Sequence, residues 1–245
     1  LIPTPTKSIA ITTQKDFFPT DEQKEAYWNT FVSKTLGYER ALIARLKDMF
    51  KSQEKEALSK LKPNMNLDTP LLSHPEKDYK EAAKPVLSDL LKESIDDGEE
   101  LINPKPAHRS KQEDATEWLD GRLTWTAEHV AEETAKQLAK QLAQGFEAGE
   151  SIPEIAKRVS GVFDNAERFR TVRIARTETI MAANEGALTG YTNSKVEKVQ
   201  FYAALDERTD DDCLDLHNEI FEVDDAHGMI PIHPSCRCTW LPVVE

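Results

Sequence analysis

The feature that most constrains the fold is a helical pattern that runs from residue 20 to residue 61 without a proline. Its apolar residues recur at helical intervals: Leu42, Leu46, Met49, Phe50, Leu58 and Leu61. Thr20 and Gln23 have capping-box spacing, and Pro63 marks the end because a proline disfavours helix in the residue before it. We therefore predict one long amphipathic helix over 20–61, with Gly37 as its candidate break.

Three further helical patterns cover residues 84–102, 124–148 and 165–191. The stretches 63–78 and 102–114 contain prolines and no helical periodicity, which predicts loops. Gly149 has the character of a helix stop, and Ser151 with Glu154 forms a second capping box just after it. A shorter helix is therefore predicted to open at Ser151.

The pattern changes near residue 196, where β-branched and aromatic residues alternate with others. Short strands are predicted in VEKVQFYAAL, EIFEV and CRCTWLPVV. The sequence thus predicts an α+β fold that is mainly α, a long-helix bundle followed by a small C-terminal β unit. We expect an extended N-terminal segment over 1–19 and a helical region over 20–110. A C-terminal domain over 111–245 then follows, with helices over 124–195 and the β unit over 196–245.

The charge of the chain is acidic and unevenly placed. The net charge is −13, and residues 201–245 hold eleven Asp and Glu against two Arg. Because phosphate contacts need clustered Lys and Arg, this balance argues against a nucleic-acid-binding function for the whole surface. No apolar run is long enough for a membrane span, so no membrane partner is predicted. The chain starts with Leu1 rather than Met, and we expect a processed product or part of a longer chain.

All three cysteines lie near the C-terminus, two of them in HPSCRC. Residues two apart in a strand face the same side, so Cys236 and Cys238 should point together. With Cys213 and His233 they make a Cys₃His set, which is an accepted tetrahedral set for structural zinc. Small β units with little core often need such a staple. His217, four residues after Cys213, is an alternative ligand.

Two other interpretations of the cysteines stay open. The usual C-x₂-C pair is absent, so the thiols are also consistent with small apolar side chains buried under a short sheet. A disulfide from Cys213 to Cys236 or to Cys238 is the third interpretation.

The stretch DERTDDDCLD invites a calcium or magnesium interpretation. It lacks the EF-hand pattern, because Arg208 falls where a carboxylate is needed and no glycine supplies the turn. We predict instead a solvated loop in which Asp206 and Thr209 hold a turn through the backbone. Arg208 is predicted to be structural and to pair with a carboxylate such as Glu178 or Asp215.

Four arginines near the start of the last helix are candidate DNA contacts: Arg168, Arg170, Arg173 and Arg176. Arg176 and Glu178 also allow an enzyme interpretation, which requires them to converge with Asp206 and His233 on one cleft. The sequence contains no Gly-rich phosphate loop, HExxH or GxSxG motif. No catalytic residue is therefore assigned, and the chain is predicted not to be an enzyme.

Three stretches together resemble one known family: IARTETIMAANEGALTGY, VQFYAALDERTDDDCLDLHNEIF and PIHPSCRCTWLPV. They resemble the phage Mu F-like family of minor head, or head morphogenesis, proteins of tailed bacteriophages. The resemblance covers about residues 165–245, and the domain over 111–245 is identified on it as Mu F-like. Asp210 stands where many relatives have a cysteine. Asn218 stands at a common glycine, and it also tolerates the left-handed conformation.

The resemblance implies a virion protein that associates with the portal vertex and acts in procapsid assembly and in genome packaging or ejection. The implied partners are the portal protein, a scaffold or the major capsid protein, and packaged DNA. The implied location is the capsid interior or portal vertex, and the host cytoplasm during assembly. The alternative function is an ADP-ribosyltransferase-like or nuclease-like phage effector enzyme.

Overall fold

The first long helix, α1, spans Asp21–Lys60 in the computed structural model. The structure describes residues 15–63, 65–66, 69–104 and 112–244. The Thr20 hydroxyl accepts a hydrogen bond from the Gln23 backbone N–H at 3.3 Å, and the Gln23 side chain accepts from the Thr20 N–H. The predicted helix and capping box are confirmed, and α1 continues through Gly37 without a break.

The second helix, α2, spans Pro75–Ile102, so it begins before the predicted start at residue 84 and shortens the predicted loop over 63–78. Pro85 lies inside this helix and has no N–H to donate to the Glu81 carbonyl one turn earlier. Arg45 of α1 donates to that carbonyl at 3.2 Å. A neighbouring helix thus satisfies the group that the proline leaves unpaired, which no local pattern could predict.

The third helix, α3, spans Gln112–Glu147, and the predicted start at residue 124 was too late. Ala115, Leu119 and Leu123 are buried one turn apart along its first part. Of the predicted loop over 102–114, residues 105–111 lie outside the described part of the chain, as does the predicted boundary at 110. Gly149 follows the helix with φ of 69°, which confirms it as the stop.

The helix predicted to open at Ser151 and the helix predicted over 165–191 are continuous in the structure. α4 (Ile152–Asn165) passes through a π-helical turn (Ala166–Arg170) directly into α5 (Thr171–Asn193). Ser151 and Glu154 cap α4 as predicted, and the Ser151 N–H donates to the Glu154 carboxylate at 2.7 Å.

Helices α2 and α5 approach each other closely through glycines. A Cβ built on Gly190 would lie 2.5 Å from the carbonyl oxygen of Ile95, and one on Gly186 would lie 2.6 Å from the Ser94 Cβ. A Cβ on Gly98, across the seam, would lie 2.9 Å from the Ala187 carbonyl oxygen. The two backbones therefore pack at a separation that only glycine allows.

The C-terminal unit is a small antiparallel sheet in the order β1-β4-β2-β3. Its predicted strands are confirmed as β2 (Lys198–Tyr202), β3 (Ile220–Glu222) and β4 (Thr239–Val244). The short helices α6 (Asp211–Asp215) and α7 (Val223–Ala226) lie in its connections.

The edge strand β1 (Lys15–Asp16) comes from the N-terminal segment and pairs with Val243 and Val244 of β4. An extended segment was predicted here, but its pairing as a strand of the sheet was not. Residues 1–14 of the segment predicted over 1–19 lie outside the described part of the chain.

One hydrophobic core joins the long helices to the sheet. It contains Phe50 of α1, Leu90 of α2, Phe163 of α4, Tyr191 of α5 and Trp240 of β4. The predicted α+β class, mainly α, is confirmed. Within the described residues, no helix combines the length and the apolar character that a membrane crossing needs.

Candidate functional site

Two charged residues of α5 form bidentate ion pairs with other helices. Arg176 donates to both carboxylate oxygens of Glu39 on α1, at 2.9 and 3.1 Å. Glu178 accepts from two nitrogens of Arg122 on α3, at 2.7 and 3.0 Å. Glu178 is only 3% exposed. These side chains connect α5 to α1 and to α3.

Thr177, between the two ion-pairing residues, contacts the C-terminal unit instead. Its hydroxyl accepts a hydrogen bond from the Ser235 backbone N–H at 3.2 Å. Two turns later along α5, Asn184 donates to the Cys238 carbonyl at 3.1 Å and accepts from the Trp240 N–H at 3.2 Å. In the Arg176-Thr177-Glu178 triplet, the arginine therefore binds α1, the threonine binds the loop before β4, and the glutamate binds α3.

The turn after β2 forms as the sequence predicted. The Thr209 N–H donates to the Asp206 carbonyl at 3.0 Å, and the Asp206 N–H donates to the Thr209 hydroxyl at 3.2 Å. The Thr209 hydroxyl in turn donates to the Ala204 carbonyl. Arg208 lies 3.3 Å from the Asp206 carboxylate, with a side chain that is 72% exposed. Its predicted pairing with Glu178 or Asp215 was wrong.

The main partner of Asp206 is Arg237, which sequence reasoning missed. Arg237 donates to both Asp206 carboxylate oxygens, at 2.5 and 2.7 Å, and so joins the acidic turn to the loop before β4. The Trp28 indole N–H of α1 donates to the Arg237 carbonyl at 2.9 Å. The bonds from Arg237, and then from the Arg208 N–H, hold the pKa of Asp206 well below its usual range. The available signal was that residues 201–245 contain only two arginines. Arg237 was therefore one of two possible arginine partners for the acidic turn within this segment.

The depressed pKa of Asp206 predicts an acid-sensitive contribution to stability. Asp206 binds its proton more weakly in the folded chain than in the unfolded chain. The stabilisation is therefore present above the unfolded-state pKa, about 3.9, and is lost as the pH falls toward the lower folded-state pKa. Asp206→Asn should lower the melting temperature at pH 7. When the pH is then lowered from about 5 to about 2, the variant should lose less stability than the wild type, because it has no carboxylate to protonate at this position.

Thermal unfolding followed by circular dichroism across this pH range measures the effect. Arg237→Ala should reproduce the loss at pH 7, whereas Arg208→Ala serves as the comparison and should change stability by less than about 1 kcal/mol, as is usual for an exposed pair. A larger loss from Arg208→Ala than from Arg237→Ala would contradict this assignment of partners.

The three cysteines meet beneath the sheet. Their sulfur atoms all lie within 4.8 Å of one another, and the Cys213 and Cys236 sulfurs are 3.8 Å apart. All three side chains are buried and none forms a disulfide. Hydrogen bonds from the thiols of Cys213 and Cys238 lower the pKa of Cys236, and the same cluster raises the pKa of Cys213. The three buried sulfurs thus form one cluster that joins two segments of the C-terminal unit.

Neither predicted histidine ligand joins the three sulfurs. Across the described residues, the metal-ligating groups that cluster here are the three thiols. The His233 Nδ1 lies 3.0 Å from the Pro234 carbonyl. The His217 Nδ1 accepts from the Ala203 N–H at 3.2 Å, and burial is the first cause of its lowered pKa. Asn218 has φ of 69°, the left-handed conformation expected at that position.

The four arginines predicted as DNA contacts do not form one surface. Arg170 is buried and donates to the Thr134 hydroxyl at 3.1 Å and to the Val130 carbonyl at 3.2 Å. Arg176 is held by Glu39. Only Arg168 and Arg173 are exposed.

The residues named for an enzyme site are also engaged separately. Arg176 pairs with α1, Glu178 with α3, Asp206 with Arg237, and His233 with the carbonyl beside it.

The comparison with known proteins concerns this same region. Residues 136–241 match the family described as Phage Mu protein F like protein. The matched range runs from α3 to β4 and contains the α5 triplet, the acidic turn and the thiol cluster. No curated protein and no solved structure matches the chain.

The match indicates a class, the bacteriophage head morphogenesis proteins, and suggests a virion-associated protein. More narrowly, residues 136–241 form a Mu F-like region, and the match confirms the resemblance and supports a head morphogenesis protein.

Proposed function

We propose that the protein acts at the portal vertex as a non-enzymatic component of procapsid assembly and of genome packaging or ejection. It works on the capsid interior side after assembly in the host cytoplasm. The proposal that the protein is not an enzyme rests on the contacts made by the Arg176-Thr177-Glu178 triplet of α5. Both of its charged side chains form ion pairs with other helices, at 2.7 and 2.9 Å. A catalytic role would instead need these groups to converge and face a substrate.

The docking surface that we propose lies on the π-helical turn. Phe169 is 68% exposed there, the highest value among the large hydrophobic side chains described, and it is flanked by the exposed Arg168 and Arg173. The turn buries the charged Arg170 and exposes the apolar Phe169, which is the reverse of where charged and apolar side chains usually lie. π-helical turns are frequent at functional sites, and aromatic and arginine side chains dominate the energetics of protein interfaces.

The partner is a protein surface with carboxylates around an apolar recess, and we assign it to the portal protein. A duplex DNA partner fits less well, because the chain has a net charge of −13 and two of the four arginines are already paired within the fold. Scaffold and major capsid protein remain further candidates for the same assembly step.

The test is capture of the full chain by purified portal rings from the same phage. The wild-type chain should be retained, and the double variant Phe169→Ala, Arg173→Ala should lose at least about tenfold in affinity, as expected for hot-spot residues. Leu205→Ala is the matched control, because Leu205 is 58% exposed outside this surface, and it should bind like the wild type.

Three outcomes would overturn the proposal. They are no binding to portal rings by the wild-type chain, equal loss in the Leu205 control, or salt-sensitive retention on DNA fragments that depends on Arg168 and Arg173. Normal head assembly by a phage that lacks the protein would overturn the assembly role itself.

A further inference from the structure

We propose that Cys213, Cys236 and Cys238 bind one zinc ion that holds the C-terminal unit together. The inference is independent of the portal contact, because it concerns only groups inside the domain. It rests on the positions of the three sulfurs, on their burial and on the small size of the unit that they join.

The sulfur positions fit tetrahedral coordination. Two ligands bonded at about 2.3 Å to one tetrahedral ion stand about 3.8 Å apart. The Cys213 and Cys236 sulfurs are 3.8 Å apart, and the third sulfur lies within 4.8 Å of both. A disulfide requires about 2.05 Å between sulfurs, so this arrangement matches the edge of a metal tetrahedron better than a covalent pair.

The three sulfurs reach one point from two separate segments. Cys213 lies in the five-residue helix α6, whereas Cys236 and Cys238 lie in the loop that leads to β4. All three side chains are at most 1% exposed. Thiols that served only as apolar filling would not need to converge on a shared centre, whereas metal ligands must do so.

The unit has a structural need for such a link. Its three C-terminal strands contain five, three and six residues, and the loops between them carry most of the acidic side chains. β2 and β4 pack into the core shared with the helices, whereas α6 and the loop before β4 are short connections, and a bound zinc ion would add folding free energy by joining them. Zinc with three thiolates would also neutralise most of their charge in a buried position.

The fourth coordination position is open to two ligands. In the described part of the chain no histidine or carboxylate completes the cluster as it stands. His233 precedes Cys236 by three residues in the same loop, so rotation of its side chain offers a fourth protein ligand, and water is the other source. A His233→Ala variant separates these two sources.

The experiment measures metal in the full chain produced in zinc-supplemented medium and purified without chelator. Metal analysis should give about one zinc per chain, and cobalt substitution should give the charge-transfer absorption of thiolate ligation. Chelation should lower the melting temperature by about 5–10 °C, the shift expected for the loss of a ligand present at 100 times its dissociation constant. Returning zinc should restore it.

Two variants complete the test. Cys236→Ser should lose the zinc, and His233→Ala should keep it if water is the fourth ligand or bind it more weakly if the imidazole is. Because Cys236→Ser can fail to fold, thiol titration of the unaltered chain gives a second measurement. The three thiols should be protected with zinc and reactive after chelation.

Zinc below about one tenth of an equivalent, with no effect of chelator on melting, would overturn the proposal, as would fewer than three free thiols after denaturation. Neither result bears on portal capture, so the two proposals fail separately.

Discussion

Replacing Gly190 by alanine should destabilise the protein by about 3 kcal/mol, the upper end of the usual range for overpacking. The added Cβ would lie 2.5 Å from the Ile95 carbonyl oxygen and 2.9 Å from the Glu99 backbone nitrogen. Both contacts are with backbone, so neither can be relieved by rotating a side chain. Helices α2 and α5 would have to separate, and much of the central core depends on their contact.

Thermal and denaturant unfolding measure this effect against a matched substitution. Gly37 also lies inside a helix, but it is exposed and a Cβ there meets nothing within 4 Å. Gly37→Ala should therefore stabilise the chain by about 0.5–1 kcal/mol, because alanine has the better helix propensity. Similar effects from the two substitutions would show that the close approach of α2 and α5 is not a determinant of stability.

The second large effect is expected at the buried ion pair between α3 and α5. Glu178→Leu should cost about 3–5 kcal/mol, because it leaves the Arg122 guanidinium largely buried without its carboxylate. The double change Arg122→Met, Glu178→Leu should recover most of this loss, since it removes both charges and retains apolar volume. A double-mutant cycle from denaturant unfolding gives the coupling energy.

An exposed pair provides the control for that cycle. Lys77 and Glu81 lie 3.5 Å apart on α2, with side chains that are 70% and 66% exposed, and removing either should change stability by less than about 1 kcal/mol. A near-neutral Glu178→Leu variant would contradict a structural role for the triplet. So would a folded variant that lost an enzymatic turnover, because that result would favour the effector alternative.

The helices that precede the matched residues contribute to the core of the Mu F-like region. The family match begins at residue 136, yet Glu39, Gly98 and Arg122 lie before it and contact α5 directly. The helical region ahead of the match therefore completes the core on which the Mu F-like domain rests. Truncation to the matched residues would expose the faces of α5 that these helices cover.

Local sequence signals predicted most of the elements correctly. The capping boxes at Thr20 and Ser151, the stop at Gly149 and the alternation in β2 depend on residues within a few positions of one another. Such signals act through backbone hydrogen bonding and side-chain period, both of which are properties of a short segment. Cys236 and Cys238 lie in the loop before β4, so the strand alternation that was expected to bring them together does not apply to them.

Contacts between residues far apart in the sequence could not be predicted from such local signals. Pro85 leaves the Glu81 carbonyl without its usual helical donor, and Arg45 on another helix satisfies that carbonyl. Glycines at 98, 186 and 190 form the close contact between α2 and α5, which joins residues far apart in the chain.

By itself the sequence determined the α+β class, the caps and the resemblance to the Mu F-like family, because each depends on residues close together in the chain. Only the tertiary structure decided that Arg176 pairs with Glu39, that Asp206 pairs with Arg237, and that three sulfurs meet beneath the sheet. Charged and thiol side chains act over a few ångströms whatever their separation along the chain. Their partners are therefore fixed by how the helices pack, a property that no local pattern contains.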